Sequence, residues 1–325
     1  MQDFIGDNKV ISKARLAELS VRSDGPALKR LAMHWGAIGL TAYLMHLTAG
    51  HWLCIPLFIF QGVLINNLYA PEHECDHFTA FKTRSLNIWV ARICGFAILF
   101  NNAHHRSTHY HHHRNTQDWD EDPEIRERDR LDSVWAYLVA LAGIKNIWTG
   151  RLVPLFHHTL GVVHEPYLSA SQKQSIIATA RGYALGYAAI LISALVFQSW
   201  WPVYYWLGPF VAMRWAYWLQ GLGEHTGLTH EPYTLLNTRT LKANRFMCWV
   251  NWNMAYHTVH HTFPGVPFYR LPELHAEVET NLGFELPSDS YFRLHWQHLK
   301  RLFNGETETD ICNAHTEELR ALKRL

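Results

Sequence analysis

LAMHWGAIGLTAYLMHLTAGHWLCIPLFIFQGVLINNLYAP, residues 31–71, contains no Asp, Glu, Lys or Arg, and HECDH follows it at 73–77. As helix this stretch is about 60 Å long, twice the ~30 Å hydrocarbon core of a bilayer, so it predicts a hairpin of two spanning helices. Gly50, Trp52 and Pro56 in TAGHWLCIP (48–56) break the apolar run without adding charge and mark the turn. A second hairpin is expected over 176–222, charge-free from 182 to 213, with its turn in QSWWPVYY (198–205). Neither turn carries Lys or Arg, whereas the flanks do, so the positive-inside bias directs both turns outward and the rest to the cytosol. The first thirty residues hold Lys9, Lys13, Arg15, Arg22, Lys29 and Arg30 around no apolar core, which is not the pattern of a cleavable signal peptide.

The expected fold is therefore an all-α integral membrane protein with four transmembrane helices in two hairpins and a cytosolic helical domain. In order, 1–30 is a cytosolic segment, 31–71 the first hairpin, 72–175 cytosolic or interfacial, 176–222 the second hairpin and 223–325 cytosolic. Two further apolar runs, Leu86–Phe100 with Arg92 inside it and 135–163 with Lys145 and Arg151, are too short or too charged to span and are expected in the interface or packed on the domain. Arg214, near the inner end of the fourth span, is expected to snorkel to the headgroups or to contact a polar substrate end.

Bulk composition agrees with a membrane protein carrying a large polar part. Apolar residues make up 48% of the chain while the mean hydropathy is −0.14, because charge is gathered into blocks between uncharged stretches. A net charge of +1 excludes the one-sided basic field of a nucleic-acid binder. Five cysteines (Cys54, Cys75, Cys94, Cys248 and Cys312) form no CxxC, which argues against a disulfide framework, a thiolate zinc site or an in-chain rubredoxin.

Histidine is the outlier, at 23 residues, and three clusters organise it. His73 and His77 form HxxxH directly after the first hairpin. His109, His112 and His113 form HxxHH within RSTHYHHHRNT (106–116), and His257, His260 and His261 repeat HxxHH. Residues at i, i+3 and i+4 share one helix face, so each box can offer its imidazoles to one metal pair. A lone HxxxH is weak evidence, and in the middle cluster an HxxHH match is nearly guaranteed by the density of histidine; His104, His105 and His111 are expected beside the ligands or facing solvent. The second HxxHH, in an ordinary stretch, together with a common predicted side of the membrane, makes the combination specific. Asp76, Asp118, Glu224 and His105 are candidates to orient ligand rings from behind.

In this order and beside paired hairpins, HECDH (73–77), RSTHYHHHRNT (106–116) and YHTVHHTFPGVPFYRLPELH (256–275) resemble the membrane fatty acid desaturase superfamily, from about Ala32 to His275. The resemblance implies two irons held by histidines, O₂ as co-substrate and a substrate arriving from the bilayer. It also implies one further ligand between the second hairpin and the third box, where this chain has His225 in GEHTG. Desaturation of an acyl chain is the expected reaction. Hydroxylation of an alkane, a carotenoid or a small apolar metabolite is the alternative, since both begin with hydrogen abstraction.

Imidazole suits iron, and a metal-dependent hydrolase would need fewer ligands than these eight or nine clustered histidines. A His-rich transporter would place acidic ligands near the bilayer midplane, which these spans lack. No GxGxxG and no iron–sulfur cysteine set are present, so electrons are expected from a separate protein of the ferredoxin, rubredoxin or cytochrome b5 kind. Such a carrier would meet Lys82, Arg84, Arg106, Arg114, Lys242 and Arg245, which equally suit lipid headgroups.

Overall fold

In the computed structural model the described residues are 10–126 and 130–322, and they are mostly helical, with one two-residue parallel strand pair, Thr240–Leu241 against Ser288–Asp289. The described residues divide into two compact units, one of residues 24–107 and 142–217, the other of residues 10–23, 108–126, 130–141 and 218–322.

The first unit contains the apolar helices. Asp24–Leu47 turns back at residues 48–53 into Cys54–Asn66, the turn expected from Gly50 and Trp52. Three polar side chains fix this hairpin, one between its two arms and two to its neighbours. His34 Nε2 meets the Leu64 carbonyl at 2.9 Å, Asn66 donates to the Phe210 carbonyl at 2.8 Å, and Gln61 donates to the Tyr205 carbonyl at 3.1 Å. Gly62 permits the close approach, because a Cβ there would stand 2.2 Å from the Pro209 carbonyl oxygen. Ala170–Val196 begins at a capping box, Ser169 with Gln172, and turns near Gln198 into the stretch that ends at Ala212. Leu185, Leu195, Phe197 and Trp200 are left exposed, an apolar exterior suited to lipid.

Among the described residues two helices are long and apolar enough to cross a membrane, Cys54–Asp76 and Ala170–Val196. The Arg84–Ala97 and Asn102–Arg114 helices pass that test only as a pair, and they are bent by 104° at their break. Asp24–Leu47 has the length but falls short in composition, carrying His34 and His46 within its apolar face. Arg214 departs from its expected role: it is 1% exposed, donates to Asn66 Oδ1 at 3.2 Å and Asn146 Oδ1 at 3.1 Å, and lies 4.3 Å over the Tyr217 ring. A guanidinium with side-chain acceptors that close does not need the headgroups.

The second unit is a helical domain whose core joins Leu131, Tyr137, Leu222, Leu302 and Ile311. Its C-terminal helices, Tyr291–Phe303 and Glu308–Ala321, start at Ser290 and Thr307 caps. The boundary between the units falls within the Asn102–Arg114 helix, so His104 and His105 belong to the first unit and His109, His112 and His113 to the second.

Candidate metal centre

Seven of the nine expected ligands lie in the second unit and form one group, buried but for the half-buried His113 and His225. The Asn102–Arg114 helix presents His109, His112 and His113, the His257–Thr262 helix presents His257, His260 and His261, and His225 ends the Arg214–His225 helix. Ring centroids run in a continuous chain: His109–His113 4.5 Å, His113–His261 4.0 Å, His113–His260 5.1 Å, His257–His261 4.4 Å and His225–His257 4.8 Å. One ligand atom from each of His112, His225 and His261 falls within 4.8 Å of the others. The i, i+3, i+4 spacing accounts for this, since it stacks each box on one face.

The rings are aimed by groups behind them. Asp122, fully buried, accepts from His112 Nδ1 at 2.8 Å while also taking the backbone N–H groups of Gln117 and Glu124, each at 2.9 Å. Thr116 Oγ1 meets His261 Nδ1 at 3.1 Å, and Glu124 meets His109 Nδ1 at 3.1 Å. With Nδ1 so engaged, Nε2 is the nitrogen left for a metal. Gln117, in the left-handed region at φ 69°, carries its side-chain amide to the His225 carbonyl at 2.5 Å and thereby ties the ninth candidate to the second box.

Two Nε2 pairs face one another, His109 with His113 and His225 with His257, both at 2.9 Å. Two nitrogens at right angles about one ion, each at about 2.1 Å, would stand roughly 3.0 Å apart. Burial, followed by the neighbouring imidazoles, holds His257 and His261 well below the usual histidine range, and burial with His112 brings His260 down to about 3. These rings are therefore neutral, the form that ligates. Burial pushes the Glu224 carboxyl well up, and its Oε1 lies 3.6 Å from His257 Nδ1 with Gln220 donating to it at 2.9 Å. The donor set and its geometry fit a transition-metal centre.

In the first unit His73 and His77 lie near the C-terminal end of Tyr69–Asp76, both buried, with ring centroids 4.9 Å apart. Two of the expected supporting residues meet beside them: His105 Nδ1 reaches Glu72 at 2.9 Å and Asp76 at 3.2 Å, and Arg106 closes on Asp76 at 2.9 Å. Asp118 is placed differently from its expected role. It is exposed and caps a turn, accepting from the N–H of Asp120 at 2.9 Å and of Glu121 at 3.1 Å. Asp122, four residues on, holds the ring instead. The acidic run DWDED does not distinguish its members by spacing, and only the turn that buries one of them does so. Glu124 was also missed; it brings a carboxylate within 4.8 Å of ligand atoms of His109 and His112, so the surroundings are not purely nitrogen.

Residues 50–293 match the family described as fatty acid desaturase. The chain is 23% identical to the sn-1 acyl-lipid omega-3 desaturase (ferredoxin) of Synechocystis sp., over 81% of this chain and 76% of that protein. It is 21% identical to the sn-1 oleoyl-lipid 12-desaturase of Picosynechococcus sp., over 85% and 81%. It is 27% identical to the sphingolipid delta(4)-desaturase of Drosophila melanogaster, over 77% of each.

Proposed function

The chain belongs to the fatty acid desaturase family, and from that premise we propose that it is a membrane di-iron oxidoreductase that uses O₂ to place a double bond in an acyl chain or a similar lipophilic chain. The observation that carries this reading is the close group of seven imidazoles with its two Nε2 pairs at 2.9 Å. The iron ligands are His73, His77, His109, His112, His113, His257, His260 and His261, with His225 as the ninth, a set that combines the spacing of the three boxes with the geometry of the second unit. Iron, when bound, supplies the O₂ chemistry that breaks an unactivated C–H bond and that side chains cannot perform.

The chain's own residues prepare that chemistry. Asp122, Thr116 and Glu124 hold three rings in one tautomer and one orientation. Val259, Phe263 and Trp252, all buried beside the third box, keep water from it. The substrate comes from the bilayer, with both helical hairpins spanning it, their turns outside and the boxes and termini on the cytosolic side. That four-span arrangement rests on the charge-free stretches and the absence of Lys and Arg from both turns.

Electron balance sets the partner. Desaturation removes two hydrogens from the chain, whereas reduction of O₂ to two waters takes four electrons, so two electrons and two protons come from elsewhere. A separate carrier of the ferredoxin, rubredoxin or cytochrome b5 kind delivers them, and the word ferredoxin in one relative's name supports this. Of the basic residues expected on the cytosolic side, Arg106 is held by Asp76, which leaves Lys82, Arg84, Arg114, Lys242 and Arg245 as the exposed docking charges.

Two measurements test the reading. Protein made under iron-replete conditions should hold two irons per chain, and one zinc with no iron would refute it. Lipids from cells expressing the chain should include a species lighter by two hydrogens. A product that has gained one oxygen instead would replace desaturation by hydroxylation within the same family.

A further inference from the structure

A second set of metal-ligating side chains stands apart from the boxes, wholly within the first unit. His104 opens the second-box helix, His158 lies at the end of Val153–Thr159, and Glu165 sits in the loop that follows. His104 Nε2 and Glu165 Oε1 are 2.5 Å apart, the His104 and His158 rings are 4.6 Å apart, and one ligand atom from each of the three lies within 4.8 Å of the others. His158 is 3% exposed and His104 8%. The second oxygen, Glu165 Oε2, is buried without a hydrogen-bond partner, so one lone-pair site of the carboxylate is turned inward and unused. None of the three occupies a box position.

Two imidazoles and one carboxylate form a recurrent N₂O set for divalent transition metals and for zinc in particular. We propose that His104, His158 and Glu165 form an accessory zinc site that fastens the 160–169 loop to the first turn of the second-box helix. The neighbourhood is suited to it. Asn101 donates to the Ile176 carbonyl at 3.0 Å and contacts His158 Nδ1 at 3.3 Å, which steadies that ring. His157 and His164 stack edge to face at 5.5 Å beside the same loop and offer a second pair of imidazoles to an incoming ion.

The site acts through position. A metal there would fix the start of the helix whose next turns carry His109, His112 and His113, without contributing a ligand to the di-iron centre.

The test uses full-length, iron-loaded protein in nanodiscs, titrated with Co(II), whose visible absorption reports nitrogen and oxygen ligation, and in parallel with Zn(II) followed by elemental analysis. Wild-type protein should take up one tightly held equivalent beyond iron. Glu165→Gln and His158→Gln should each lose that equivalent and keep the iron. Should the buried His158 variant fail to fold, Glu165→Gln, on a loop and conservative in shape, still decides the question. Uptake of no extra equivalent by the wild type, or its retention by Glu165→Gln, would overturn the proposal and leave His104–Glu165 as an ion pair. Loss of iron together with cobalt would overturn it too, by placing these residues in the box centre.

Discussion

Asp122→Asn is the most informative single change. Its two carboxylate oxygens take three donors, His112 Nδ1 and Glu124 N on one and Gln117 N on the other. An asparagine of the same shape has only one acceptor oxygen. With that oxygen toward Gln117, the NH₂ faces His112 and forces Nδ1 to accept, which puts the proton on Nε2, the nitrogen required by the metal. With the oxygen toward His112, the NH₂ opposes the Gln117 N–H, and a buried donor is left unsatisfied at a cost of about 1–3 kcal/mol. Loss of a carboxylate behind a metal-bound histidine typically costs roughly 10–100-fold in affinity or activity, about 1.4–2.8 kcal/mol. Iron release to a competing chelator, followed optically in nanodiscs, should accelerate by that factor, and turnover should fall with it. If Asp122→Asn holds and releases iron as wild type does at an unchanged melting temperature, the orienting role is wrong.

His225→Ala should lose iron and turnover while the protein stays folded, because the ring packs on His112, His257 and His261 at 4.8–4.9 Å but its loss frees no charge; full iron retention would remove His225 from the ligand set. His298, away from the boxes, is brought down to about 4 by burial, with Arg239 also disfavouring its charge. Its neutral form is the native one, so its contribution is present above the unfolded value of about 6.5 and lost as pH falls through 4. The melting temperature should decline over that window, by an equivalent of about 2–3 kcal/mol, and His298→Gln should flatten the decline. Gly62→Ala should fold poorly, since its Cβ would stand 2.2 Å from the Pro209 carbonyl oxygen and 2.5 Å from Met213 Cγ; a yield and melting temperature equal to wild type would mean the helices separate easily.

Much of the site was legible in the sequence because the helical period maps directly onto space. HxxHH names three residues one turn apart, and in the second unit both copies converge with His225 as their spacing and the family resemblance imply. The turn between Leu47 and Cys54 was readable from Gly50 and Trp52 for a similar reason, since these residues act locally. Supporting residues were not readable in this way. Asp118 and Asp122 have equal claims by composition, and the choice is made by a turn that points one inward and the other to solvent. Arg214 was misread because hydropathy reports how far a residue stands from charge but not whether Asn66 and Asn146 will fold over it.

Backbone conformation around the boxes explains why the supporting contacts escape pattern reading. Phe78 follows His77 at φ 56°, Gln117 follows the second box at φ 69°, and Trp252 and Asn253 precede the third at φ 52° and 61°. None is glycine, and each pays a steric penalty of about 1–3 kcal/mol that neighbouring contacts must offset. Those contacts are visible. The Phe78 ring lies between Arg84 at 4.4 Å and Arg106 at 4.6 Å, Gln117 bonds at its N–H, carbonyl and side chain, and Trp252 is wholly buried against Phe268 at 4.7 Å. A left-handed residue ends or begins a helix abruptly, so the box histidines fall at helix termini or in short helices where loop groups such as Asp122 and Thr116 can reach their outer nitrogens. Regular helices alone would place only other helical side chains behind those rings. The strain thus belongs to the positioning of the ligands: glycine at Gln117 would relieve it while deleting the amide that ties His225 to the second box, and the site would loosen even as the local backbone relaxed.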